Sequence, residues 1–155
     1  MISFRPMRAD EYSAYLDYFI PDYASEIAAN YGLSDAEARA RAISETDEDL
    51  PQGVATAGHV LLCIISGGDT LVGYLWYRPD LAARSAHISD FHIFAGQQGK
   101  GYGKQALVLL EAELAGSGFT QIRLRVAGNN NRAKHVYDVS GFRVTGINMS
   151  KSIGQ

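Results

Sequence analysis

Gln98-Gly99-Lys100-Gly101-Tyr102-Gly103 is the stretch that decides the reading of this chain. It follows a β-rich segment, Ala86 to Phe94, and precedes an apolar-periodic one, Gly103 to Ala115, so it reads as a turn from a strand into a helix. Glycines at such a turn leave backbone N–H groups uncovered, and the helix N-terminus adds partial positive charge. Together these make a site for a pyrophosphate. Two common phosphate loops fit poorly. A P-loop ends in Gly-Lys followed by Ser or Thr, whereas Gly103-Lys104 is followed by Gln105 and Gln98 stands at the first glycine position. The loose dinucleotide fingerprint G-x-G-x-x-A is met by Gly101, Gly103 and Ala106. It also asks for an acidic residue after the next strand to hold a ribose. That strand, expected over Gln121 to Val126, runs instead into Ala127-Gly128-Asn129-Asn130-Asn131.

A third pattern, Q/R-x-x-G-x-G/A, is met at every specified position by Gln98, Gly101 and Gly103. Downstream, Asn130, Ala133, Tyr137, Gly141 and Phe142 fit N-x-x-A-x-x-x-Y-x-x-x-G-F, with a strand between the two motifs. Upstream, Leu71 to Trp76 looks like a third strand and Phe4 to Met7 like a first. In these motifs, and over nearly its whole length, the chain resembles the GNAT superfamily of N-acetyltransferases in its bacterial-type, single-domain form. The resemblance implies an α/β fold over residues 1–155, with a mixed, mostly antiparallel sheet of six or seven strands and helices on both faces. It implies transfer of an acetyl group from acetyl-coenzyme A, a cosubstrate, to a primary amine by direct attack in a ternary complex. The alternative is a non-catalytic acyl-coenzyme A sensor or regulatory module on the same fold.

The resemblance also assigns residues. Gln98, Gly99, Lys100, Gly101, Tyr102 and Gly103 would grip the pyrophosphate, with Lys100 and Lys104 adding charge. Asn130 and Arg132, or Lys134, would approach the cofactor from the next helix. The backbone N–H of Ile93 would face the thioester carbonyl, its side chain reading as core. Tyr137 would serve as the acid: a phenol of pKa about 10 stays protonated at neutral pH, while a thiol leaves with a pKa nearer about 8.5. Its spacing beside Val136, Val139 and Phe142 equally describes an aromatic on a packed helix face. An amine of pKa about 10.4 is almost wholly protonated at pH 7, so a base is needed. Asp90, acting directly or through water, is the candidate, and His92 shares its face two residues on. Their plainer readings are a hydrogen-bonded strand residue and a half-buried imidazole.

Other features bound the function. The chain has 155 residues, 46% of them hydrophobic and 20% charged, as expected of a single globular domain. A net charge of −3 argues against a general nucleic-acid binder. No apolar run approaches the roughly 18 residues of a membrane span. The chain opens on an alternating strand, not a signal peptide, and its one cysteine, Cys63, permits no internal disulfide, which together fit the cytoplasm. His59, His87, His92 and His135 show no metal-ligand spacing with Cys63, so no metal is expected. The acceptor is a small-molecule or peptide amine, its rim drawn from Tyr18, Tyr23, Tyr31, Glu26 and Asp47-Glu48-Asp49, and a homodimer is compatible with the sequence.

The element pattern is as follows. A first strand covers Ile2 to Met7. Tyr12, Leu16, Phe19, Tyr23 and Ile27 give a helix that Pro21 should kink or divide and Gly32 should end. Ser34 to Glu37 is a capping box whose helix reaches Glu45 or Thr46, and Asp47 to Gly53 reads as loop. Gly67-Gly68-Asp69 joins strands His59 to Ser66 and Leu71 to Arg78. Leu107, Leu110 and Leu114, widened by Val108 and Leu109, press the next helix on the sheet. Asn130 caps the last helix, Gly141 ends it, and Phe142 to Val144 with Ile147 to Lys151 form a closing hairpin.

Overall fold

A computed structural model describes residues 1–154. They form two compact units, one of Met1–Arg8 with Ala57–Arg143, the other of Ala9–Thr56 with the C-terminal residues from Val144.

The first unit holds the sheet: β1 (Ile2–Pro6), β2 (Val60–Ser66), β3 (Thr70–Asp80), β4 (Ser85–Ile93) and β5 (Gln121–Leu124), in that spatial order. Pairs β1–β2, β2–β3 and β3–β4 are antiparallel, and β4–β5 is parallel. That last pairing needs a crossover, supplied by α3 (Tyr102–Gly116); α4 (Asn131–Val139) follows β5. The expected Gly67-Gly68-Asp69 turn joins β2 to β3.

Alternation sorts the sheet into two faces. One carries Ile2, Phe4, Ile64, Leu75, Tyr77, Ala86, Ile88, Phe91 and Ile93, packed on Ala106, Leu107, Leu110 and Leu114 of α3. Val136, Tyr137 and Phe142 join this core from the α4 region. Val108 was expected to widen the buried face of α3 but is 60% exposed; one residue past Leu107 turns it about 100° away. The opposite face carries Leu61, Cys63, Tyr74 and Trp76, all buried.

Two irregularities shape β3 and β4. The pairing skips Val72 between Ile64 and Ile65, and skips Ser89 between Trp76 and Tyr77. At Gly73 the backbones come so close that a Cβ would land on the His92 carbonyl oxygen.

In the second unit, α1 (Tyr12–Tyr31) runs unbroken through Pro21. The proline removes one backbone donor, but Tyr15–Phe19 and Phe19–Tyr23 stack at 5.5 and 5.6 Å, carrying a ladder of rings past it. Gly32, at φ 63°, ends the helix by donating to the Ala28 carbonyl. α2 (Asp35–Asp49) is capped by Ser34, which accepts from the Glu37 N–H at 3.2 Å. It continues past the expected end at Thr46, so Asp47, Glu48 and Asp49 are helical and not loop. Thr46 is buried with its hydroxyl donating to the Ala42 carbonyl, and the Leu50 N–H reaches the Thr46 carbonyl as its side chain buries.

The closing hairpin does not form. Residues 142–154 contain no strand, and Val144, Ile147, Met149 and Ile153 are 73 to 89% exposed. Alternation alone cannot hold two short strands, because an isolated hairpin is marginal in water. The sheet therefore has five strands, not the six or seven expected.

Candidate active site

The site grows from the point where β4 outruns β5. Their pairing ends at Ile88 with Leu124, while β4 continues to Ile93. The Phe94 N–H donates to the Val72 carbonyl at 2.9 Å, and Gly73 stands opposite Ile93. That makes Gly73 and Ile93 a non-hydrogen-bonded pair, so the N–H of Ile93 points away from β3 toward the edge that β5 has left. Phe91, two residues earlier and opposite Leu75, is turned the same way.

The loop after β4 enters α3 through two left-handed glycines, Gly99 at φ 80° and Gly101 at φ 82°. Gly101 is the N-cap residue, and no side chain caps the helix. Its first-turn N–H groups thus meet a cavity of about 310 Å³ with their partial positive charge. Ile93, Gln98, Gly99, Gly101, Tyr102, Gly103 and Lys104 line it on one side, and Arg132, His135 and Val136 of α4 on the other. Gly103 differs from its neighbours. Its φ is not positive, and an added Cβ would meet only Val136, Ile93 and Phe91 at ordinary contact distances of 3.8 to 4.0 Å.

Side chains brace this loop. Gln98 donates its amide N–H to the Ile93 carbonyl at 2.9 Å, and Ser66 donates to the Tyr102 hydroxyl at 3.0 Å. Lys100 turns outward to Gln97 at 3.1 Å and does not line the cavity, unlike Lys104. Asn130 also lies outside it, its side chain capping α4 by accepting from the Ala133 N–H at 3.1 Å. Lys134 donates to the Gly128 carbonyl at 2.8 Å. Sequence reasoning passed over His135 and Val136; their i+3 and i+4 spacing from Arg132 was the available signal.

Tyr137 packs against Phe142 at 5.4 Å and Phe91 at 6.5 Å between ring centroids. Burial and then the nearby charge of Asp90 push its phenol up to about 12. Asp90 and His92 share the face of β4 opposite Phe91 and Ile93, and burial pulls the His92 imidazole below its usual value. Tyr137 thus joins Phe91 and Ile93 on the α3 face of the sheet, while Asp90 and His92 project from the other face of the same strand.

Of the residues read as an acceptor rim, Tyr23 gives its hydroxyl to Glu45 at 2.6 Å, and Tyr31 lies under the Arg41 guanidinium at 4.6 Å. Tyr18 is 6.0 Å from Tyr15 in the same ring cluster. Among the described residues, no cluster of His, Cys, Asp and Glu could hold a metal, and no helix is long and apolar enough to cross a membrane.

The family model of the GNAT acetyltransferases matches residues 14–142. The uncharacterized N-acetyltransferase YycN of Bacillus subtilis is 33% identical over 98% of this chain and 99% of its own length. The crystal structure of YycN superposes with a TM-score of 0.93 over 100% of both chains at 30% identity. A PaiA N-acetyltransferase of Thermoplasma acidophilum in complex with coenzyme A, 18% identical, has a TM-score of 0.74 over 96% of this chain and 93% of that one. A spermidine N-acetyltransferase of Vibrio cholerae in complex with coenzyme A and spermine, 17% identical, has a TM-score of 0.66 over 94% and 82%. With a family model spanning most of its length and a relative matched end to end, the chain belongs to the GNAT family of acetyltransferases.

Proposed function

We propose that residues 1–155 act as one domain that moves an acetyl group from acetyl-coenzyme A to a primary amine by direct attack in a ternary complex. The observation that carries this is the uncapped N-terminus of α3, opening on a 310 Å³ cavity beside the unpaired edge of β4. The cavity offers a pyrophosphate the loop N–H groups of Gly99, Gly101, Tyr102 and Gly103, with Lys104 and Arg132 supplying charge. Proteins of this fold captured with coenzyme A support that choice of cofactor.

The amine nitrogen attacks the thioester carbonyl, and the carbonyl oxygen becomes an oxyanion. The outward N–H of Ile93 is aimed where that charge develops, a donor worth roughly 3 kcal/mol. Collapse of the intermediate expels the thiolate, to which the Tyr137 hydroxyl donates. The proton lost by the amine goes to Asp90, directly or through water, with His92 the second candidate on that face. Neither a metal nor a covalent acyl-enzyme is required.

The test is a screen of diverse amines with detection of the released thiol, paired with calorimetry of coenzyme A binding. Release that depends on an amine, and binding that weakens in Gly103→Val, are expected. Tight binding without turnover of any amine would overturn the catalytic reading.

A further inference from the structure

The face of the sheet that bears Asp90 also bears a row of basic side chains. Arg78 of β3 stands directly opposite His87 of β4, and His87 opposite Arg123 of β5. The three side chains therefore project side by side from neighbouring strands, since paired residues share a face. Arg78 and Arg123 are exposed, and His87 is half-buried between them. Burial, then Arg78, then Arg123 pull the His87 imidazole below its ordinary value. Two guanidinium groups thus flank one imidazole on neighbouring strands, in a chain whose net charge is −3 overall. Asp80, one row further along β3, gives its carboxylate to the Ala83 N–H at 3.0 Å.

The position of the row matters. It lies one step before Ile88 and Leu124, the pair at which β4 and β5 part. The next row on the same face is Trp76 with Asp90. Along β3 the two rows, at Arg78 and Trp76, are separated by two residues of strand, about 7 Å. An anion held by the row thus leaves an amine at the other end of a short spacer beside Asp90.

We propose that Arg78, His87 and Arg123 form a docking site for a carboxylate on the acceptor, so that the acceptor is an amino acid-like amine with its acid group about 7 Å from its nitrogen. This rests on the acetyl-transfer reading for its chemistry, but the binding site is testable apart from it. The natural probe is 6-aminohexanoate, whose extended six-bond span is about 7 to 8 Å; hexylamine is its match without the carboxylate.

His87 is the built-in reporter. Titration with 6-aminohexanoate, followed by NMR of the histidine rings, should shift the His87 signals saturably and raise its pKa, because a bound carboxylate favours the imidazolium. Hexylamine should not. The Arg78→Gln/Arg123→Gln variant, altered only at exposed positions, should fold normally and lose the saturable shift. In the thiol-release assay it should lose about five- to tenfold in kcat/KM for 6-aminohexanoate with hexylamine unchanged, the scale of two exposed ion pairs. The difference should shrink at high salt. Absence of a saturable shift, or its persistence in the double variant, overturns the site. Equal losses for both amines overturn its assignment to the acceptor. Binding at the row without acetylation of any amine counts instead against the acetyl-transfer reading.

Discussion

Removing one hydroxyl, by Tyr137→Phe, separates proton transfer from hydrogen bonding at the leaving thiolate. The phenol is pushed up to about 12 by burial and by Asp90, and a thiol has a pKa near about 8.5. Complete transfer of the proton to sulfur is then uphill by about 3.5 pKa units, or about 5 kcal/mol. Tyr137 is too weak an acid to gain much from giving its proton away. It can still donate a hydrogen bond to the developing anion, and a bond to a charged group is worth about 1.5–3 kcal/mol. The expected loss is therefore about ten- to a hundredfold in rate. The ring contacts with Phe91 and Phe142 remain in the variant, so stability should change little.

The assay is steady-state thiol release with the best amine found, alongside calorimetric binding of coenzyme A. A group that acts mainly in the transition state lowers kcat and kcat/KM together and leaves cofactor affinity alone. The pH profile adds a sign. Tyr137 is the active species when protonated, and its raised pKa moves any alkaline bend it causes from about 10 toward about 12. Wild-type activity should consequently hold through pH 10. Thioester donors with more acidic thiols should shrink the loss, because they need less help in leaving. Undiminished activity in Tyr137→Phe, measured where chemistry limits the rate, would return the residue to the core and leave the thiolate to water.

Gly103→Ala should bind acetyl-coenzyme A less tightly with an unchanged circular dichroism spectrum, because the fold has room for the methyl group; unchanged affinity in calorimetry removes the α3 N-terminus from the site. Gly73→Ala should do the opposite and unfold or aggregate the protein, since its Cβ has no space against the His92 backbone; a soluble variant with native melting would contradict the close approach. Asp90→Asn should depress the rate most at low pH and shift the acidic limb of the profile, and an unaltered limb would pass the role to His92. His87 and His92 both bind protons less readily folded than unfolded. Their contribution to stability is present above about pH 6.5 and is lost as pH falls, so Tm should decline below that point, and less steeply in His92→Phe.

The cofactor loop was legible because its residues are dictated locally. Gly99 and Gly101 sit at positive φ, where few residues other than glycine are comfortable, and the strand-to-helix turn is announced by periodicity on both sides. Caps were legible for the same reason: Ser34, Asn130 and Gly32 act on backbone groups within four residues. What could not be read were outcomes set by distant partners. Pro21 fails to break α1 where a ladder of rings carries the helix past it. The alternating Ile147, Met149 and Lys151 pair with no strand. Lys100 spends its side chain on Gln97 and not on the cavity, which no spacing rule foretells.

The bulge at Ser89 shows how one such outcome builds the site. Simple alternation puts Ile88, Asp90 and His92 on one face, which would bury a carboxylate beside the core or expose Ile88. The apolar residues are instead spaced Ala86, Ile88, then Phe91 and Ile93, a change of phase that a strand can absorb only by one extra residue. The bulge supplies it. Phe91 and Ile93 return to the α3 face, Asp90 and His92 go to the other, and the backbone of β4 is turned just where β5 stops following it. The bulge thus keeps Asp90 off the core face although Ser89 stands between it and Ile88, and it turns the edge from which Ile93 offers its N–H. Deleting Ser89 should restore regular pairing with Asp90 still on its own face, straighten β4 at the edge that β5 leaves, and lower turnover, while the loop around Gly101 still binds coenzyme A. A Ser89 deletion that retains activity would show that the bulge is an accommodation of packing and not part of the site.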